Sequence, residues 1–189
     1  MKKFTNSIGL TLLELLVTLA LSSIILNFAV SNWSGLIERM TASQVKTNLR
    51  TAFSVARSSA VYKRQLVTLC PLDENDQCVS DWNRPVSIFT DPDNSKSLSE
   101  VTHLIRVVPV TTSGTLTPSA TSHGGRRYFQ YKPDGSAHGT IGNLTWCPQS
   151  RTVERAEQLR LNFGGRVRWA SDTNGDGVVE DSAGRPITC

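Results

Sequence analysis

Between Lys3 and Glu38 the sequence carries a single charged residue, Glu14. Around it, Leu10 to Val30 reads LTLLELLVTLALSSIILNFAV, 21 residues. A helix of about 20 apolar residues crosses the ~30 Å hydrocarbon core of a bilayer. Lys2 and Lys3 lie just upstream, so the expected orientation has the N-terminus in the cytoplasm and the remainder across the membrane. A secretory signal would have a shorter apolar region and a small-residue cleavage site, and none follows this run. A plain anchor leaves Glu14 unexplained. A carboxylate at the centre of a membrane helix costs roughly 2.5–3.5 kcal/mol and calls for a partner. Cleavage between Gly9 and Leu10 would supply one: a new α-amino group one helical turn before Glu14, on the same chain or on a neighbour.

The segment Ser7-Ile8-Gly9-Leu10-Thr11-Leu12-Leu13-Glu14-Leu15 resembles the class III leader and N-terminus of type IV pilins and type II secretion pseudopilins. The resemblance implies that prepilin peptidase cuts after Gly9 and that Leu10 is then N-methylated. It also implies that Glu14 pairs with a neighbour's N-terminus during assembly. The family's usual first residue is Phe, where this sequence has Leu10. Residues 1–9 are then a leader, 10–33 a transmembrane segment, and 34–189 a globular domain that includes the second half of the helix.

Apolar residues continue at helical spacing through Trp33, Leu36, Ile37, Met40, Val45, Leu49, Ala52, Phe53, Ala56 and Ala60. The spacing predicts one helix from about Leu10 to about Tyr62, its later face packed on a core and Gly35 a bend point. Beyond it, short β-rich runs alternate with turn clusters: 66–70, 86–89, 104–110, 128–131, 144–146, 159–163 and 167–169. The Thr/Ser/Gly/Pro-rich stretch Thr111–Gly125 is expected to be a mobile loop. Three stretches resemble the GspH/FimT branch of pseudopilins and minor pilins: Ala56–Val61 with Val67–Cys70, Trp82–Asp91, and Gly165–Arg168. The fold this implies is α+β, the pilin fold, with the long N-terminal helix packed on an antiparallel sheet.

Cys70, Cys78, Cys147 and Cys189 are expected to face an oxidising compartment, and four cysteines allow three pairings. The favoured one joins Cys70 to Cys78, closing a local loop, and Cys147 to Cys189, tying down the C-terminal tail. No Cys-x-x-Cys pair supports zinc or redox chemistry.

Charge is segregated. Cys70–Glu100 holds seven acids against Arg84 and Lys96, while Arg126–Arg168 holds eight bases against three acids. Seven of those bases are Arg, which grips phosphate bidentately and stacks on bases. Arg166 and Arg168 would share one face of a strand, after Gly164-Gly165 and beside Trp169. A Gly-Arg-x-Arg motif near the C-terminus resembles the DNA-binding element of FimT-type minor pilins, and Gly165, Arg166 and Arg168 match it position by position. That resemblance implies contact with double-stranded DNA for uptake in natural transformation. Arg126, Arg127, Lys132 and Arg160 are secondary candidates from charge. On charge alone, a solvated strand face is favoured.

Asp172-Thr173-Asn174-Gly175-Asp176-Gly177-Val178-Val179-Glu180 resembles the first part of an EF-hand loop, but position twelve would be Ala183. An Asx-rich surface turn is the favoured reading, with no metal and no cofactor expected. His103, His123 and His138 have no partner pattern, and no catalytic constellation stands out, so the chain reads as a non-enzyme. The expected function is a minor pilin of a type IV pilus. It would be held in the inner membrane by one span, then join the extracellular fibre among major and minor pilins and help prime its assembly. The rivals are a GspH-type pseudopilin of type II secretion and a structural minor pilin without DNA binding. A periplasmic enzyme on an anchor is disfavoured by Glu14.

Overall fold

The computed structural model describes residues 11–110, 113–139 and 141–189, with the side chains of residues 27–32 and 34 left aside. Helix α1 runs Leu12–Lys63 and continues through Gly35. Ten strands follow: β1 (Val67–Pro71), β2 (Val86–Thr90), β3 (Leu104–Val108), β4 (Thr115–Pro118), β5 (Ala120–Thr121), β6 (Gly124–Gly125), β7 (Phe129–Tyr131), β8 (Gly142–Cys147), β9 (Glu157–Leu161) and β10 (Val167–Trp169). The chain divides into two compact units, Met1–Ile37 and Glu38–Cys189.

In the first unit Thr11 caps α1. Its Oγ1 accepts the N–H of Glu14 at 3.2 Å, one half of a capping box, and Glu14 stands in the acidic first turn that the helix dipole favours. The large apolar side chains from Leu12 to Leu26 are exposed. The hydroxyls of Thr18, Ser22 and Ser23 donate to the carbonyls of Leu15, Thr18 and Ala20, so they are satisfied within the helix. Among the described residues no helix is long and apolar enough to cross a membrane. The sequence run Leu10–Val30 begins and ends outside the residues whose side chains are described.

In the second unit one face of α1 is buried: Ala42, Val45, Leu49, Ala52, Phe53, Ala56 and Ala60. These positions recur every three or four residues, and the alanines let the sheets approach the helix axis closely. The helix with antiparallel strands is the expected α+β architecture, but the single sheet is not what forms. The strands make two four-stranded antiparallel sheets, in the orders β3-β2-β1-β7 and β10-β9-β8-β4, plus the ribbon β5-β6. At the seam, the turn after β7 carries Pro133 and Gly135 at φ +77° and folds residues 136–138 back beside β7: the Lys132 N–H donates to the Ser136 carbonyl and the His138 N–H to the Gln130 carbonyl, each at 2.9 Å. Ala137 closes the seam by pairing with Tyr131 and donating its N–H to the Phe163 carbonyl at 3.0 Å. Both sheets and the helix share one apolar cluster.

The segment expected to be a loop, Thr111–Gly125, contains β4, β5 and β6; Thr111 and Thr112 lie outside the described residues. Its polar composition hides Leu116, which is 2% exposed and whose N–H donates to the Asn83 side-chain oxygen at 2.8 Å. The Trp146 indole N–H fixes the entry to β4 by donating to the Ser113 carbonyl at 3.0 Å.

Behind β1 lies a polar network. The Asp91 carboxylate is 2% exposed and accepts from Thr68 Oγ1 (2.7 Å), Gln130 Nε2 (3.2 Å), the N–H groups of Ser95 (2.8 Å) and Lys96 (3.1 Å), and Ser95 Oγ (3.1 Å). A buried carboxylate with this many donors is compensated.

The disulfides are Cys70–Cys78 and Cys147–Cys189, the pairing favoured from the sequence. They close sequence separations of 8 and 42 residues. On the chain-entropy account, losing the longer loop costs about 4 kcal/mol and the shorter about 2.5 kcal/mol. Cys147→Ala/Cys189→Ala is therefore expected to lower chemical-denaturation stability more than Cys70→Ala/Cys78→Ala; equal or inverted losses would refute that ranking.

Candidate nucleic-acid interface

Hairpin β9–β10 is turned by Asn162–Gly165. The Gly165 N–H donates to the Asn162 carbonyl at 3.0 Å, and the Asn162 side chain accepts the Arg166 N–H at 2.9 Å. β10 starts at Val167, so Arg166 closes the turn and Arg168 lies in the strand. Arg168 stands directly opposite Arg160 of β9 in the antiparallel register. Arg166 and Arg168 are exposed, and among the described residues neither guanidinium has a side-chain hydrogen bond or ion pair.

Both arginines border two grooves. One, of about 720 Å³, is also lined by Arg126, Arg160, Phe163 and Trp169. The other, of about 370 Å³, lies against α1 and adds Arg50, Arg57 and Tyr131. The helical arginines escaped notice in the sequence as ordinary polar positions. Their spacing of seven residues places them on one helix face and could have flagged them. Arg57 also donates to the Gly164 carbonyl at 3.2 Å, fastening the turn to the helix.

The other candidates divide. Arg126 lies over the Phe129 ring at 5.5 Å and donates to Ser119 Oγ at 3.3 Å; burial pulls its guanidinium pKa below the ordinary value. Arg160 donates to Gln158 Oε1 at 3.0 Å and to the Glu180 carbonyl. Arg127 is drawn off to the Cys70–Cys78 loop, where it donates to the Cys78 carbonyl at 2.7 Å. Lys132 sits in the turn after β7, its N–H bonded to the Ser136 carbonyl at 2.9 Å. Gly165 is buried. A Cβ there would stand 2.0 Å from the Gly135 carbonyl oxygen and 3.0 Å from the Tyr131 ring.

Gly9 and Leu10, the expected cleavage and methylation positions, lie outside the described residues. The described part of the N-terminus supplies the Thr11 cap that sequence reading missed, although the Thr-x-x-Glu spacing was there to find it.

A family model described as Type II transport protein GspH matches residues 47–165. The chain belongs to the GspH family. The match takes in the last third of α1 and ends at the glycine of the arginine turn. Among solved structures, the domain shares its fold with the type IV minor pilin FimU of Pseudomonas aeruginosa strain PAO1 in space group P21. That likeness has a TM-score of 0.54 and 20% identity, over 79% of this chain and 95% of that one. A second crystal form of FimU, P65, gives a TM-score of 0.49 at 20% identity, over 79% of this chain and 98% of that one. A search of curated proteins finds no match. The expected GspH/FimT-type pilin-like protein is thereby borne out.

The steric setting of Gly165 yields a test. Gly165→Ala combines a left-handed φ of +72° with a backbone clash. It is expected to cost more than about 2 kcal/mol in urea unfolding. A loss below about 0.5 kcal/mol would mean that the two turns are free to separate.

Proposed function

We propose that this GspH-family chain is a minor pilin of a type IV pilus. It is cut after Gly9, methylated at Leu10 and held in the inner membrane by residues 10–33 before joining the fibre beside other pilins. The observation that carries this reading is α1 itself. Its first half presents exposed apolar side chains around a lone Glu14, while its second half is the core of a GspH-family domain. An exposed apolar helix needs lipid or neighbouring helices to cover it. The internally bonded hydroxyls of Thr18, Ser22 and Ser23 suit either surrounding. Glu14 then sets register by pairing with the α-amino group of an adjacent subunit. The resemblance in fold to the minor pilin FimU supports the pilus over other uses of the family.

The finer part of the proposal is that the domain holds double-stranded DNA for natural transformation. Arg166 and Arg168 meet phosphate, Arg160 and Arg126 form the groove wall behind them, and Gly165 shapes the turn. Arg127 is a weaker candidate because its Nε already serves the Cys78 carbonyl, and Lys132 lines neither groove. Contacts to phosphate bind with little sequence preference and weaken steeply with salt. The description of the matching family as a type II transport protein favours a second reading, a pseudopilin of a secretion machine.

Two measurements test the proposal. Glu14→Ala is expected to abolish recovery of the subunit in sheared fibres while leaving its membrane level unchanged; normal incorporation would remove the register role. For the DNA part, the full chain in non-ionic detergent is titrated with a short duplex at low and moderate salt. Arg166→Ala/Arg168→Ala is expected to weaken binding at least tenfold and to reduce the log–log salt slope by about two. Binding that is absent, or unchanged in the double variant, would return both arginines to contacts with other pilins or solvent.

A further inference from the structure

Residues 172–180 form an acidic loop packed against the C-terminal tail. Its backbone is organised by Asx-type bonds, as the sequence suggested. Asp172 accepts the N–H groups of Gly175 and Gly177 at 2.7 and 2.8 Å, and Asp176 accepts that of Val178 at 2.8 Å. Those bonds account for Asp172 and Asp176, which are exposed. They do not account for Glu180, which is 3% exposed. Its Oε2 accepts from the Thr173 N–H and Oγ1 at 2.8 and 2.9 Å. Its Oε1 is, among the described residues, the one buried side-chain nitrogen or oxygen without a hydrogen-bond partner. A bare carboxylate oxygen inside a protein is costly unless a cation faces it.

The position of that carboxylate says what the cation would meet. One carboxylate oxygen each from Asp172, Asp176 and Glu180 lies within 4.8 Å of the others. Oxygens on opposite sides of a calcium ion at 2.3–2.6 Å stand roughly 4.6–5.2 Å apart, so the cluster has the right span. All three donors are hard oxygens, with no sulfur or imidazole among them, which disfavours zinc and copper. Three carboxylates outweigh a divalent charge, and magnesium gives up its waters reluctantly. Asn174 adds an amide oxygen at the third position of the loop. That oxygen accepts the Asp176 N–H at 2.9 Å and keeps a second lone pair. Gly177, at φ +87°, takes the sharp bend at the sixth position. Ala183 cannot serve at the twelfth position, and Glu180 reaches in from the ninth instead.

We propose that Asp172, Asp176 and Glu180, with the Asn174 amide oxygen, bind one calcium ion. The site would brace the tail. Val178 and Val179 pack with Cys147, Ile187 and Cys189, and the Ile187 N–H donates to the Val179 carbonyl at 3.1 Å. Bound calcium therefore clamps the loop onto the segment that the Cys147–Cys189 disulfide anchors.

The test uses the full chain in detergent, disulfides intact and stripped with chelator, titrated calorimetrically with calcium chloride and separately with magnesium chloride. The expected result is one saturable calcium site with Kd roughly 10⁻⁵–10⁻³ M and a thermal midpoint that rises with calcium. Magnesium should bind at least tenfold more weakly. Asp176→Asn, at an exposed position, should weaken calcium at least tenfold, as should Glu180→Gln if it folds; Asp134→Asn, in another turn, should change nothing. No saturable heat and no midpoint shift up to about 10 mM calcium would overturn the proposal. So would wild-type affinity in Asp176→Asn, or magnesium binding as tight as calcium.

Discussion

The contact between Phe53 of α1 and Phe129 of β7 is the joint on which the globular unit depends. The rings meet edge-on at 5.1 Å, and Trp82 meets Phe129 edge-on as well, at 5.4 Å. Arg126 lies over the same ring, and its carbonyl accepts the Trp82 indole N–H at 2.6 Å. One aromatic side chain thus ties the helix, the first sheet, the segment before β2 and one wall of the arginine-lined groove. Each such ring contributes roughly 1.5–3 kcal/mol by burial, with about 0.5–1.5 kcal/mol more for each well-oriented aromatic pair. The alanines flanking Phe53 make the joint possible by keeping the helix surface low around it.

The sequence made the helix and most strands readable because their apolar residues keep a simple period. Helix α1 showed itself in the spacing Val45, Leu49, Ala52, Phe53, Ala56, and β9 and β10 in short apolar runs flanking Gly164-Gly165. The disulfide pairing was legible because one pair was local and the other lay at the tail. What stayed hidden depends on partners distant in sequence. β4 is Thr-Leu-Thr-Pro, with one buried side chain to mark it, and it is held by Asn83 and Trp146. Nothing near Glu180 announced that a glutamate would be buried there. The difference between Arg126, which lines the groove, and its neighbour Arg127, which does not, is likewise tertiary.

Charge segregation read from composition overstated the binding surface on both sides. Of the eight bases between Arg126 and Arg168, Arg155 pairs with Glu38 of α1 and Arg151 donates to the Cys189 carbonyl at 3.1 Å. Arg127 holds the first disulfide loop, and Arg126 and Arg160 make internal bonds. The acids are similarly occupied. The Gln77 backbone N–H holds the Asp73 carboxyl below the usual carboxylate range, and the Asn83 side chain, ahead of its N–H, does so for Asp81. These are turn-forming groups. Among the described residues, the bases of that stretch left without internal side-chain bonds are Lys132, in the turn after β7, and Arg166 and Arg168, at the end of the β9–β10 hairpin.

The network behind β1 bears on how the sheet chooses its alignment. β1, β2 and β7 are buried along their whole length, so polar-out alternation cannot tell one register from another. Sliding β7 by two residues along β1 would keep Phe129 and Tyr131 on the helix side. It would also take Gln130 away from Thr68, its direct partner, and from Asp91. Thr68, Gln130 and Asp91 therefore act as a key that fits at one setting, making misaligned but equally apolar pairings, within this chain or with another, energetically distinct from the native one.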